Sequence, residues 1–170
     1  LGGLLQDLGM LAMAQTLEAE NAAIVQLTDE HNQLRQLEQE HIKTDHTEVG
    51  AKLAEEWRLP PLLVSPIRYH EDPDACPEEV RDLVNCVYLG NRVAEIFTSD
   101  SPGEALQQYY EGCEQWLSLG KDAAEPLLSM IHNDTREMKR LFDLPTGEFG
   151  NPDEILGRAN EALLQLSLQQ

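Results

Sequence analysis

Asp7, His46 and His70 of this 170-residue chain carry a carboxylate and two imidazoles, groups able to bind a divalent cation or move a proton, and two amides, Gln6 and Asn91, are set among apolar residues. An imidazole nitrogen or a carboxylate oxygen gives a lone pair to a metal ion, and the bound metal lowers the pKa of an attacking water. An amide offers only a neutral oxygen. Each residue also has a reading without chemistry. His46 stands at a helix start, where a hydrogen bond to a neighbour satisfies it. His70 ends a short helix, where an imidazolium interacts favourably with the dipole. Asp7 lies beside Gly9 in an apolar segment and, if buried, must find a partner, for which His46 or His70 is expected. Arg68 and Tyr69, followed by Glu71 and Asp72, line either a small-ligand pocket or only a solvated surface.

Helices must position these groups, because apolar residues recur at three- and four-residue steps almost throughout and no alternating β-branched run is present. The chain is therefore predicted to be all-α. A first helix carries Leu4, Leu8, Leu11 and Ala12 on one buried face. A second segment, residues 22–41, carries Ile24, Leu27, Leu34, Leu37 and His41, and Thr28–Asp29 divides it. Asp45 precedes Glu48 at capping-box spacing and opens a helix with the stripe Val49, Leu53 and Trp57, in which Gly50 and Ala54 allow close packing. Leu59-Pro60-Pro61 ends it. Leu62 to His70 forms a short helix, expected to be distorted or partly 3₁₀ because Pro66 removes a backbone donor.

A long helix then runs from Glu78 to Phe97 with Val80, Val84, Val87, Asn91 and Ala94 along one stripe. Val49, Leu53, Trp57, Val84 and Val87 are expected in one core, so that Trp57→Ala removes a buried ring. Ser99 to Gly103 breaks the chain, helices follow over residues 104–117 and 124–142, and 145–152 is a turn-rich linker. A separate last helix, 153–170, repeats Leu156, Ala159, Leu163, Leu166 and Gln170 at coiled-coil steps. It either packs back on the bundle or pairs weakly with a second copy. The expected organisation is thus a domain over 1–144, a linker over 145–152 and a connector helix over 153–170.

A net charge of −19 argues against a nucleic-acid surface, since such affinity comes from Lys and Arg displacing counterions. Proteins or small ligands are the expected partners. Neither a membrane span nor a signal peptide is legible, which implies a cytoplasmic protein. Cys76, Cys86 and Cys113 are too far apart for a metal knuckle and odd in number, so they read as reduced thiols.

Four segments together resemble one family. Gly3-Leu4-Leu5-Gln6-Asp7-Leu8-Gly9 is similar to the GLLHDIG element of the HD phosphohydrolases, with Gln6 in place of the histidine. His46 to Pro60 resembles the H-x-E-V-G-x-x-L-x-x-x-W-x-L-P helix, Ile67-Arg68-Tyr69-His70 the I-x-x-H element, and Leu89 to Ala94 the A-[DN]-x-[LV]-A element, with Asn91 in place of an acid. Over residues 3–97 the order and departures are those of the HDOD branch, the bacterial relatives that have lost the metal centre.

The resemblance implies an HD-domain-like helical bundle whose N-terminal helices are missing here. It also implies a non-catalytic signalling module that acts on a protein partner or an attached output domain, without cofactor. Ala159 to Ser167 resembles the connector that joins some HDOD modules to a GGDEF diguanylate cyclase. On this reading Gln6, Asp7, His46, His70 and Asn91 are the remnant of the HD site and hold no metal. The alternative implied by the HD enzymes is a metal-dependent phosphohydrolase, acting on a cyclic dinucleotide or another phosphoester with Asp7, His46 and His70 as ligands. Glu40 and His41 fall near that family's acidic position before the His46 helix. No chemistry is assigned to them, nor to His31 or His132.

Overall fold

The computed structural model describes residues 1–17, 24, 25, 27, 31–99, 102–142 and 151–168, and every regular element among them is helical, as expected. The proposed division at Thr28–Asp29, the centre of the Ser99–Gly103 break, residues 145–150 of the linker and Gln170 lie outside the described residues. Two compact units are formed, Leu1–Tyr88 and Leu89–Gln170.

In the first unit, α1 (Gly2–Leu5), α2 (Leu8–Thr16), α3 (His31–His41), α4 (His46–Glu56) and α5 (Pro61–Tyr69) precede two 3₁₀ turns, Pro73–Ala75 and Glu78–Val80, and the start of α6 (Arg81–Thr98). The first helix is broken at Gln6–Asp7, so no single apolar face runs along it. Leu4 and Leu11 are 82% and 67% exposed, and the inward positions are Gln6, Gly9 and Met13. The small residue is the reason. A Cβ on Gly9 would lie 1.9 Å from the His46 carbonyl oxygen and 2.7 Å from the Gly50 nitrogen, so α2 and α4 approach backbone to backbone.

That approach also sets the rotation of α4. Its inward arc is His46, Thr47, Gly50, Ala51 and Ala54, one position away from the expected stripe. Val49 and Leu53 are only half-buried, and Trp57 is 59% exposed at the C-terminus. The core here joins Ala51 and Ala54 of α4 to Val64 and Ile67 of α5, with Leu5 and Leu59 packed on it. Val84 is buried and Val87 half-buried, but Trp57 is no part of a core with them. Trp57→Ala is accordingly expected to lower unfolding stability by less than about 1 kcal/mol in urea titration, the range of an exposed position. A loss of about 3 kcal/mol would place the ring in a core.

The ends of α4 follow from local sequence. Asp45 is the N-cap, its Oδ1 accepting from the Thr47 and Glu48 backbone N–H groups at 2.9 and 3.0 Å. Burial raises its pKa, but hydrogen bonds from Gln39, Thr47, Glu48 and Arg35 outweigh burial and hold the carboxyl well below the usual range. Glu48 closes the other half of the box differently, accepting from the Thr44 hydroxyl. At the far end Arg58 takes a left-handed φ of 56°, and Leu59 N–H bonds the Ala54 carbonyl before Pro60.

The segment ending at His70 is an ordinary α-helix despite Pro66, and 3₁₀ geometry appears only after it. The proline lacks the N–H that would bond Leu62, and Leu62 lies on the exposed first turn. The ring instead packs on α1, where a Cβ on Gly2 would meet Pro66 Cγ at 2.9 Å. Elsewhere in the first unit Leu34 and Ile24 are buried as expected, whereas Leu27 is 63% exposed.

The second unit holds the rest of α6 with α7 (Pro102–Leu117), α8 (Lys121–Phe142) and α9 (Pro152–Ser167). Ala105, Leu106, Tyr109 and Cys113 of α7 are buried, as are Ala124 and Leu128 of α8 and Ile155, Leu156 and Ala159 of α9. The last helix packs chiefly on α7, where Gly103 sits so close to Ala162 that a Cβ would meet its methyl at 2.7 Å. The first half of the predicted coiled-coil stripe is therefore inward within this unit. Leu164, Leu166 and Leu168 beyond it are exposed. On the part of α6 in this unit the buried residues are Leu89, Arg92, Val93 and Ile96, and Ala94 of the expected stripe faces out. No helix among the described residues is long and apolar enough to cross a membrane.

Candidate functional site

Three breaks in the helical path bring the chemical groups of the first unit together. Asp7 is the N-cap residue of α2, His46 is the first residue of α4, and His70 is the C-cap of α5. Each offers one ligand atom, and these atoms lie within 4.8 Å of one another. Both imidazoles are fully buried, and their ring centroids are 5.4 Å apart.

The proton on each ring follows from its neighbours. His70 Nδ1 lies 3.0 Å from the Ile67 carbonyl and 3.2 Å from that of Pro66, and carbonyls only accept, so Nδ1 carries the hydrogen. His46 Nδ1 lies 2.7 Å from Glu38 Oε2, a carboxylate acceptor, and is protonated by the same argument. The same Oε2 accepts the His46 backbone N–H at 2.9 Å. In both rings Nδ1 is therefore the nitrogen that donates to the neighbouring oxygen. A carboxylate or carbonyl that fixes the far ring nitrogen is the arrangement that orients metal-binding histidines.

Asp7 is oriented from the other side. Gln6, itself buried, donates its amide to Asp7 Oδ2 at 3.2 Å, while Oδ1 lies 3.4 Å from His70 Nε2. The expected contact between Asp7 and a histidine is thus made, with His70. Glu71 adds a second carboxylate, its Oε1 3.6 Å from the same Nε2 and its side chain 3% exposed.

Asn91 belongs to the second unit and is half-buried on α6, where its neighbour Arg92 is fully buried and donates to Gln108 Oε1 at 2.9 Å. Arg68 points along the surface to an ion pair with Glu55, and Asp72 is exposed, as in the solvated-surface reading. Glu40 and His41 are exposed. The acid before the His46 helix is Glu38, two residues earlier, which the sequence reading missed. Its signal was its place one turn after Leu34, on the buried stripe of α3. Glu71 was grouped with the surface residues because it follows a helix end. In the second unit His132 is buried against Phe97, with ring centroids 4.7 Å apart, and burial followed by the Arg136 charge lowers its pKa.

Residues 1–73 match the family model of the HDOD domain, consistent with a member of that family. A protein of Treponema pallidum (strain Nichols), described as an uncharacterized protein, is 33% identical over 61 residues, which make up 36% of this chain and 12% of that relative. No solved structure gives a significant match.

Proposed function

We propose, from the HDOD match over residues 1–73, that the chain is a non-catalytic bacterial regulatory module that relays a signal through protein contacts to a partner or an attached output domain such as a diguanylate cyclase. The observation that carries this reading is at position 6. A hydrolytic centre gains an imidazole ligand there, whereas Gln6 uses its amide to hold Asp7 Oδ2. Asn91 likewise carries no charge with which to bind a cation. Water activation needs enough ligands to hold the metal and a further open position on it. The net charge of −19 and the exposed leucines at the end of α9 favour a protein partner.

The second reading, a metal-dependent phosphohydrolase, is favoured by one observation, the convergence of Asp7, His46 and His70. These residues fit a divalent cation in donor type and tautomer, and a cation bound there would supply Lewis-acid polarisation of a phosphoester oxygen. The chain's own residues orient donors, but Gln6 and Asn91 contribute no base or anionic ligand. The purified chain is therefore expected to hydrolyse neither bis(p-nitrophenyl) phosphate nor cyclic di-GMP with manganese, iron or zinc added. Turnover that disappears in His46→Ala would overturn the regulatory reading.

A further inference from the structure

We infer that the exposed ring of Trp57, with Pro60, Pro61 and Leu62 following it in the chain, is a contact surface for a second copy of this protein, the two copies meeting ring to ring about a two-fold axis. The inference goes beyond the regulatory reading and does not rest on it. Trp57 is the C-cap residue of α4 and 59% exposed, and Leu62 on the first turn of α5 is 60% exposed. Pro60 and Pro61 between them are exposed as well. A lone exposed leucine is ordinary on a protein surface, but tryptophan is among the side chains most enriched where proteins meet. The backbone holds these groups in place. Arg58 takes its left-handed φ of 56°, the Leu59 N–H bonds the Ala54 carbonyl, and Pro60 is extended at φ −63° and ψ 150°. A patch fixed in this way loses little freedom on association.

Charge decides what covers the ring. Residues 52–68 carry Lys52, Arg58 and Arg68 against Glu55 and Glu56, a net charge of +1 in a chain of −19, so the remaining residues carry −20. Copies that meet elsewhere bring like charges together on average, whereas here they do not. Glu55 is paired with Arg68, and the exposed charges next to the ring in sequence are Glu56 before it and Arg58 after it. That order of acid, aromatic ring and base is complementary to itself: a two-fold axis at Trp57 sets Glu56 of each copy against Arg58 of the other. An unrelated partner has to supply both charges in the matching order, and a second copy already has them. The apolar patch is small, which puts the contact at the low end of interface sizes and its Kd on the order of 100 µM.

Sedimentation equilibrium of the full chain, from about 1 µM to 1 mM at about 0.15 M ionic strength, tests the contact. A monomer–dimer equilibrium is expected. Trp57→Ala, which removes a ring that lies outside the core, should weaken it about 30-fold or more, the loss that follows truncation of a hot-spot side chain. Arg58→Glu should also weaken it, because each copy then presents acids on both sides of the ring. Adding Glu56→Arg to that variant should restore the dimer, since reversing both charges keeps the complementarity, and non-specific association of apolar surface would not respond in this way. A parent that stays monomeric over the whole range would overturn the inference and leave Trp57 to a different protein. So would a dimer that survives Trp57→Ala, or one that the double reversal fails to restore. The phosphoester assay is independent of all these outcomes, so the regulatory reading and this contact can fail separately.

Discussion

Replacing Gly9 by alanine is expected to destabilise the protein by about 3 kcal/mol or more, at or beyond the upper end of overpacking costs. The added methyl would lie 1.9 Å from the His46 carbonyl oxygen and 2.7 Å from the Gly50 nitrogen. Both obstacles are backbone, so no rotamer change relieves the clash and α2 must lift from α4. Lifting it also moves Asp7, two residues away, from His70. Gly3→Ala is the control, because nothing lies within 4 Å of its added carbon and alanine favours a helix by about 1 kcal/mol. Urea titration of the two variants should therefore give shifts of opposite sign, or a large shift against none. Equal small shifts would mean that α2 and α4 do not meet at Gly9.

Glu38→Ala is expected to cost about 3–5 kcal/mol, the range for removing one member of a buried pair. Both side chains are essentially inaccessible, and Glu38 Oε2 accepts from the ring and from the backbone nitrogen of His46. Truncation leaves two buried donors at the first residue of α4 without their acceptor. Glu38→Gln keeps one acceptor oxygen in nearly the same volume and should cost distinctly less, with the His46 Nδ1–H proton resonance moved upfield as its hydrogen bond weakens. Denaturant midpoints and that resonance check the two effects separately. A loss below about 1 kcal/mol for Glu38→Ala would show that water reaches the imidazole and replaces the carboxylate.

Much that is local in this protein could be read from the chain. The all-helical class follows from spacing, the start of α4 from Asp45, and its end from Leu59-Pro60-Pro61, because capping and proline geometry involve residues only a few positions apart. Asp7, His46 and His70 were legible through the resemblance of their segments to the HD elements, although the break that makes Asp7 an N-cap was not. What only the tertiary structure decided is which face of each helix turns inward. On α4 the Val49–Leu53–Trp57 stripe and the His46–Gly50–Ala54 stripe have nearly the same period, and hydrophobicity favours the first. The second faces in because Gly9 on another helix allows backbone contact that only glycine and alanine positions can accept. That rotation buries His46, exposes Trp57 and makes Glu38 the partner acid in preference to Glu40. Glu71 entered the site for a related reason. A residue after a helix end has no periodicity to mark it, and its neighbours there, Asp7 and His70, come from opposite ends of the first seventy residues.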